Sequence, residues 1–481
     1  MTSLKKHAFW SAGAAIVLTG SRFVLAAVLA RRLSHEAFGQ YAYAQWLVDI
    51  SFLLLTLGAT GAVSRYTAEY RHDPAWVAGF LRAWRRYALL LPFGAGLVAV
   101  LGSSISHLDL SPTGRACLVA WTVTSGLWAM QTAALTGLQR FDLIFRANAI
   151  AAITMLGGAM FLPMESTDPS RALLLMACAS LLAAAVGFHA VSRAAASGNA
   201  SPNKDEQRRI VRYAINIWLT AILWNLVWSR GEIPIVRAYL GDASLAQYSV
   251  ALTLLGGAIA GVMLGINSCA TQVTRFWGEG RKGEAVALCR KVMDVQILTC
   301  GAASLGLIWL APEMLRLGFG EGYTGSVGAL CILALLLPAM ALYLHNHLLQ
   351  IATDSQFNRD STLAGLVVLM LAAVLLVPRF GITGAAVARV AALFFLSVLT
   401  SAVFFKRFGS SGLGLGNAVI VAFAVIPSAV FMLYAPHVGV SFRTVFVVLT
   451  LAGVFFGVRD GQGRIIVLAL WGMLRSRNKQ L

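Results

Sequence analysis

Apolar residues run along this chain in long blocks, each broken by a short polar cluster. A helix that crosses a bilayer needs about 20 mostly apolar residues. The blocks predict spans near 9–30, 43–64, 87–106, 116–136, 147–163 and 172–192, followed by a polar linker from Ser197 to Arg212. Further spans are predicted near 213–236, 247–271, 292–312, 327–353, 362–378 and 385–405, with a final pair near 417–434 and 444–458. The stretch from Ile465 to Leu474 is apolar but too short to span, and predicts an interfacial helix. The pattern as a whole predicts an all-α polytopic membrane protein of about fourteen transmembrane helices with no sizeable soluble domain.

Composition agrees. Of 481 residues, 58% are hydrophobic and 12% are charged, with a mean hydropathy of +0.74. Soluble domains carry roughly 25% charged residues. The net charge of +18 would suit nucleic acid only if it gathered on one folded face. Here the charges fall in clusters between apolar blocks, so no nucleic-acid partner is expected. Lys5 and Lys6 ahead of an apolar run resemble a signal peptide, but the run continues to Ala30 and begins an internal repeat, so it reads as the first span. The six cysteines form no CxxC pair and read as small buried hydrophobes; neither a metal nor a cofactor is expected.

Lys and Arg in alternate connections fix an orientation. With the N-terminus inside, inner segments carry roughly three times as many as outer ones, which predicts cytoplasmic termini in a bacterial inner membrane. Most of the net charge is then an insertion signal rather than a ligand site. Arg22, Arg230 and Arg389 are left within spans.

Leu33, Gln40, Tyr41, Ala44 and Leu47 recur in register as Leu240, Gln247, Tyr248, Ala251 and Leu254. Ser21-Arg22 and Ser229-Arg230 lie upstream of each copy, with a one-residue indel. Both copies join the first and second helices of a six-helix set. Six is even, so the sets share an orientation and should be related by a pseudo-two-fold axis along the membrane normal. The expected organisation is an N-terminal lobe over 1–212, a C-terminal lobe over 213–405, and two further helices with a cytoplasmic tail over 406–481. In transporters with such repeats, the substrate site lies near the midplane.

Several segments resemble the polysaccharide transporter family, bacterial flippases for lipid-linked O-antigen and exopolysaccharide units. LARRLSHEAFGQY (Leu29 to Tyr41) is similar to the family's opening signature, and LQRF (Leu138 to Phe141) to its fourth-to-fifth connection. Leu240 to Tyr248, LGFGEGY (Leu317 to Tyr323) and PRFGITGAA (Pro378 to Ala386) are similar to later motifs, in the family's order. The resemblance implies the fold shared with lipid II flippases and multidrug-and-toxin extruders. Its implied partners are a lipid-linked oligosaccharide and membrane lipids, with polysaccharide polymerase and export machinery as further candidates. Two departures stand out: Gly39 is matched by Ala246 in the second copy, and Arg389 follows the GaA turn.

Charges at membrane depth cost roughly 2.5–3.5 kcal/mol or more each and need a reason. Arg22 and Asp49 lie equally far from the centre of the first hairpin, so antiparallel neighbours bring them to one depth. They are either a buried structural pair or a substrate site, with Arg22 contacting pyrophosphate through its paired donors and Asp49 holding or releasing it. Arg230 and Glu232 form a second candidate pair, with Pro234 weakening the helix beside them, or else mark an interfacial helix end. Asn225 sits mid-span and can bind sugar or a neighbouring helix. Arg389 reads as snorkelling, His345 and His347 as structural, and Asp294 and Asp354 as solvated ends.

The function expected is a flippase for an undecaprenyl-pyrophosphate-linked oligosaccharide, with a multidrug antiporter of the same fold as the alternative. A membrane glycan polymerase would need carboxylates on a long loop. The longest outer loop expected is Glu313 to Ser326, and the chain shows no acid pair, metal triad or P-loop, so an enzyme is not expected.

Overall fold

A computed structural model describes residues 2–196, 203–353, 356–409 and 415–434. By packing, the chain forms two compact units, Met1–Thr253 and Leu254–Leu481. That division rests on contacts, whereas the two lobes expected from the internal repeat stay a proposal about symmetry.

In the first unit the helices are α1 (Thr2–Arg32), α2 (His35–Thr56), α3 (Ala59–Glu69), α4 (Pro74–Ile105), α5 (Pro112–Gly137), α6 (Phe141–Ala159), α7 (Ser170–Ala196) and α8 (Lys204–Trp224). A π turn (Asn225–Arg230) and the first part of α9 (Ile233–Gly278) complete it. Local chemistry sets the helix starts. Ser34 caps α2 through Ala37 N, Asp73 caps α4 with Pro74 behind it, and Ser111 caps α5 with Pro112 behind it. Asn203 and Glu206 make a reciprocal capping box on α8, with bonds of 2.8 and 2.9 Å. The expected linker therefore becomes helix at Lys204, because this box satisfies the first backbone donors.

The span expected over 43–64 is broken. Leu57 and Gly58 take left-handed angles, and α2 and α3 meet at 58°. Glycine is required here twice over, since a Cβ on Gly58 would also lie 1.9 Å from the Ala214 carbonyl oxygen of α8.

The connections of the first unit gather at two ends. At one, Glu206 accepts from Tyr70 Oη (3.3 Å) and Trp76 Nε1 (3.2 Å), Arg209 pairs with Glu69, and Arg71 meets Gln139. At the other, Ser34 N donates to Ser166 O (2.9 Å), Arg32 Nη1 donates to Leu162 O (3.0 Å), and the Ser111 and Ser170 hydroxyls lie 3.0 Å apart. The first end collects Arg65, Arg71, Arg140, Arg208 and Arg209, as the uneven charge pattern leads one to expect.

The second unit takes in the rest of α9, then α10 (Lys282–Trp309), α11 (Ala311–Phe319), a 3₁₀ turn (Glu321–Ser326), α12 (Val327–Ala334), α13 (Leu336–Ala339), α14 (Tyr343–Ala352), α15 (Gln356–Phe408) and α16 (Leu415–Tyr434). α10 packs on α12, α13, α14 and α16, and α15 packs on α12 and α14. The expected loop from Glu313 to Ser326 is instead mostly α11 and the 3₁₀ turn, and α11 buries Leu315 and Phe319 on one side.

The expected spans up to Tyr434 fall mostly on described helices, with 43–64 divided between α2 and α3 and 327–353 divided over α12, α13 and α14; the span at 444–458 and the helix from Ile465 to Leu474 lie outside the described residues, as does Asp354. Eight described helices are long and apolar enough to cross a membrane, or nine with the bent α2–α3 pair counted as one. The number falls below fourteen partly because continuous helices carry two expected spans each. Lys204–Met263 and Phe357–Phe408 are such cases, with α9 kinked at Gly241 and α15 at Gly381. Phe9, Leu90, Phe161, Leu371 and Phe394 are more than half exposed, a surface suited to hydrocarbon rather than water. Cys117, Cys289, Cys300 and Cys331 are buried as expected, and Cys178 is exposed.

Candidate functional site

On α2, Tyr41, Gln45 and Asp49 recur every fourth residue and so share one face. Arg22 of α1 and Arg230 of the π turn both act electrostatically on Asp49 and on the Tyr41 phenol. Arg230 Nη1 donates to Gln45 Oε1 at 3.2 Å. Arg22 and Asp49 both keep exposed surface, and Arg230 is half-buried. Among the described residues no ion pair joins Arg22 to Asp49. Both are thus accessible rather than enclosed as the buried pair that hairpin geometry also allowed. Tyr41 is buried and stacks on Trp121, with centroids 5.8 Å apart and rings 6° from parallel, which holds the α2 face in place.

The π turn bears on this geometry. A π turn widens the helix by about one residue and rotates the residues beyond it, and such turns concentrate at functional sites. Asn225 opens it and Arg230 closes it, and Asn225 is half-buried. The indel that separates the two Ser-Arg copies from their downstream motifs lies between Arg230 and Leu240, on the stretch that follows this turn.

Glu232 differs in its burial. It is fully enclosed, and its Oε1 accepts from Tyr248 Oη at 2.6 Å. Tyr248 is the repeat counterpart of Tyr41, so the two copies use one tyrosine differently: the first packs beside exposed charges, the second holds an enclosed carboxylate.

Sequence reading missed Gln45 and Tyr41 as members of this cluster. The signal was present, since polar groups four and eight residues along one apolar helix make a face. It also missed Arg237. Arg237 Nε donates to Asp242 Oδ1 (2.6 Å), its Nη1 to Ser106 O (2.6 Å) and its Nη2 to His107 O (3.1 Å), while its guanidinium lies 4.7 Å from the Tyr43 ring centroid. Three helices are tied at that point.

In the second unit, His345 is fully buried and stacks on Phe404 at 3.8 Å, and among the described residues its ring nitrogens have no hydrogen-bond partner, a packing role as expected. His347 Nε2 meets Thr274 Oγ1 at 3.0 Å. Arg389 does not snorkel: it is 4% exposed, drawn inward on a stretch where Ala385, Ala386 and Ala388 are also buried.

No curated protein matches the sequence. The chain is similar in structure to the lipid II flippase MurJ in an inward closed conformation, with a TM-score of 0.67 at 12% identity over 93% of this chain and 97% of that one. It is similar to a multidrug resistance MATE family transporter of the MOP superfamily in an inward-facing conformation, with a TM-score of 0.66 at 12% identity over 84% and 98%. It is also similar to a mutant of the Vibrio cholerae MATE transporter VcmN, with a TM-score of 0.58 at 15% identity over 85% and 98%. At these identities the likenesses establish the fold, an all-helical membrane fold. The model of one sequence family, described as polysaccharide biosynthesis protein, matches residues 4–271, more than half the sequence, and the chain belongs to that family.

Proposed function

We propose that this chain is a flippase that carries an undecaprenyl-pyrophosphate-linked oligosaccharide, an O-antigen or exopolysaccharide unit, across the bacterial cytoplasmic membrane by alternating access. The observation that carries this reading is the convergence of Arg22 and Arg230 on the Gln45–Asp49 face of α2. A pyrophosphate must leave water to cross, and fixed guanidiniums offset that desolvation with charge and paired donors. Asp49 tempers the repulsion between the two cations while the site is empty and yields to the substrate when it binds. Gln45 keeps Arg230 aimed. Asn225 is a sugar-facing donor, and Glu232 holds the second tyrosine in place. Membership of a polysaccharide biosynthesis family and likeness to a lipid II flippase support the reading, and polymerase and export proteins are the natural recipients of the product.

A multidrug antiporter is the second reading, favoured by the likeness to MATE transporters and by the accessible Asp49. Two arginines beside one carboxylate make a poor site for a cationic drug, so the flippase reading leads. Deleting the gene and locating lipid-linked oligosaccharide with a membrane-impermeant glycan label tests it. Build-up in the cytoplasmic leaflet is expected, rescued by the wild type but not by Arg22→Ala, Arg230→Ala. Unimpaired flipping in the deletion strain would remove the flippase reading and put the antiporter first.

A further inference from the structure

At the arginine-rich end of the first unit, α3 and α8 enclose an open cleft of about 510 Å³. Arg65 and Tyr66 line it from α3, and Asp205, Arg208, Arg209, Arg212, Tyr213 and Asn216 line it from α8. This is separate from the Arg22–Arg230 cluster, and nothing in the family match or the fold likeness assigns it a role.

Four guanidiniums here face few carboxylates. Arg209 pairs with Glu69, Arg65 reaches Glu69 at 3.7 Å, and Arg208 meets the largely exposed Asp205 at 4.0 Å. Arg212 is exposed and has no ion pair among the described residues. Glu206, close by, is already engaged, since its oxygens accept from Asn203 N, Trp76 Nε1 and Tyr70 Oη. The cleft therefore keeps a positive excess. Aromatic rings fix two of the cations without neutralising them: Arg65 lies 4.3 Å from the Tyr213 centroid and Arg209 lies 5.3 Å from that of Tyr66. Both of these cations also turn to Glu69, so the donors left for an anion are those of Arg208 and Arg212, whose planar forks match phosphate oxygens.

The second observation concerns the track that leads away from the cleft. On α8, Arg208, Arg212, Ile215 and Leu219 follow one another at helical spacing along a single stripe. Ile215 and Leu219 are 45% and 44% exposed, and Val211 beside them is 56% exposed. Cationic donors thus run directly into an outward apolar track on a helix apolar enough to span. A soluble anion would use the first half of this arrangement only, whereas a lipid uses both.

We infer that this cleft binds the phosphate headgroup of a membrane lipid, with Arg208 and Arg212 on the phosphate and the acyl or prenyl chain lying along Ile215 and Leu219. A bulk anionic phospholipid and a prenyl pyrophosphate share that chemistry. The inference concerns binding at this end of the unit and does not depend on the flippase reading.

The test uses the full chain, purified in detergent and titrated with undecaprenyl pyrophosphate, phosphatidylglycerol or phosphatidylethanolamine under native mass spectrometry. An Arg22→Ala, Arg230→Ala background removes the other cationic cluster, and the change in adduct on substituting the cleft arginines reports the cleft. Adding Arg208→Gln and Arg212→Gln is expected to weaken anionic-lipid binding roughly tenfold, with Arg208→Lys and Arg212→Lys falling between. Loss of the undecaprenyl pyrophosphate adduct alone makes the cleft a loading site for a lipid-linked substrate. Loss of the phosphatidylglycerol adduct alone makes it a site for bulk anionic lipid. Equal binding of both lipids with and without the glutamines overturns the inference. So does displacement by inorganic pyrophosphate with no lipid adduct on the wild type. The lysine forms keep the charge, so a folding defect in the glutamine forms is told apart from a binding defect.

Discussion

Gly39 of α2 lies against the backbone of Asp242 in α9, so close that a Cβ on Gly39 would sit 1.9 Å from the Asp242 carbonyl oxygen. The contact gives a physical reason for the Phe-Gly step in the LARRLSHEAFGQY segment. It also accounts for the departure at the second copy: Ala246 carries a Cβ and is fully buried, so that copy makes no such approach at this position. Arg237 anchors Asp242 from its side chain, so backbone and side chain of one residue are both held.

Gly39→Ala should therefore destabilise the first unit. The obstructing atom is backbone and cannot swing aside, so α2 and α9 must separate. Overpacking of this kind costs about 1–3 kcal/mol. Thermal unfolding in detergent should show a lower midpoint than wild type. Equal midpoints for Gly39→Ala and wild type would mean the helices do not approach as described.

Tyr248→Phe should cost more stability than Glu232→Gln. The phenylalanine leaves an enclosed carboxylate without the 2.6 Å bond from Tyr248, whereas the glutamine keeps an oxygen for Tyr248 and carries no charge. Losing a hydrogen bond to a buried charged group costs roughly 1.5–3 kcal/mol. The ranking of the two unfolding midpoints decides the matter, and the reverse order would point to Glu232 acting through another partner.

Much of this architecture is legible in the sequence because the bilayer imposes one length on every span. The helix positions from 9 to 434 follow from apolar block length, and the gathering of arginines at one end follows from alternating charge. Pattern alone could not give the places where helices break or fuse. The α2–α3 bend depends on Leu57 and Gly58 taking left-handed angles, and the fused Phe357–Phe408 helix hides a turn at Gly381 that composition marks but does not shape. The Arg22–Asp49 relation was half legible: hairpin arithmetic gave equal depth, but depth carries no azimuth, so contact and mere proximity could not be separated. Gln45 was missed because a neutral amide in a span is not costly enough to attract notice, although its spacing from Asp49 placed it on the same face.

Arg230→Lys should behave more like Arg230→Ala than like wild type in binding a pyrophosphate lipid. Lysine keeps the charge but loses the fork that can hold Gln45 and a phosphate oxygen together. A roughly tenfold weaker Kd, about 1.4 kcal/mol, is expected for the lysine form, read by titrating purified protein with undecaprenyl pyrophosphate. Gln45→Ala should fall within a few fold of wild type, because it removes an aiming contact rather than a cation. Wild-type affinity in Arg230→Lys would show that charge alone suffices and that the fork has no role.

The two ends of the first unit offer a direct test of orientation, because the bacterial periplasm oxidises thiols and the cytoplasm keeps them reduced. Ser111 and Ser170 place their hydroxyls 3.0 Å apart at the arginine-poor end, which suits a disulfide once both are cysteine. If that end faces outward, as the charge pattern predicts, Ser111→Cys, Ser170→Cys should cross-link without added oxidant in growing cells, seen as a joined peptide by mass spectrometry. At the opposite end, Arg208→Cys places an exposed thiol beside the headgroup cleft. It should resist a membrane-impermeant maleimide in intact cells and react once the membrane is opened. Reduced thiols at 111 and 170 together with ready labelling at 208 would invert the topology, placing the arginine-rich end outside against the usual bias. Such an inversion would leave the fold intact but move the cleft of α3 and α8 to the outer leaflet, where a substrate could be released but not loaded.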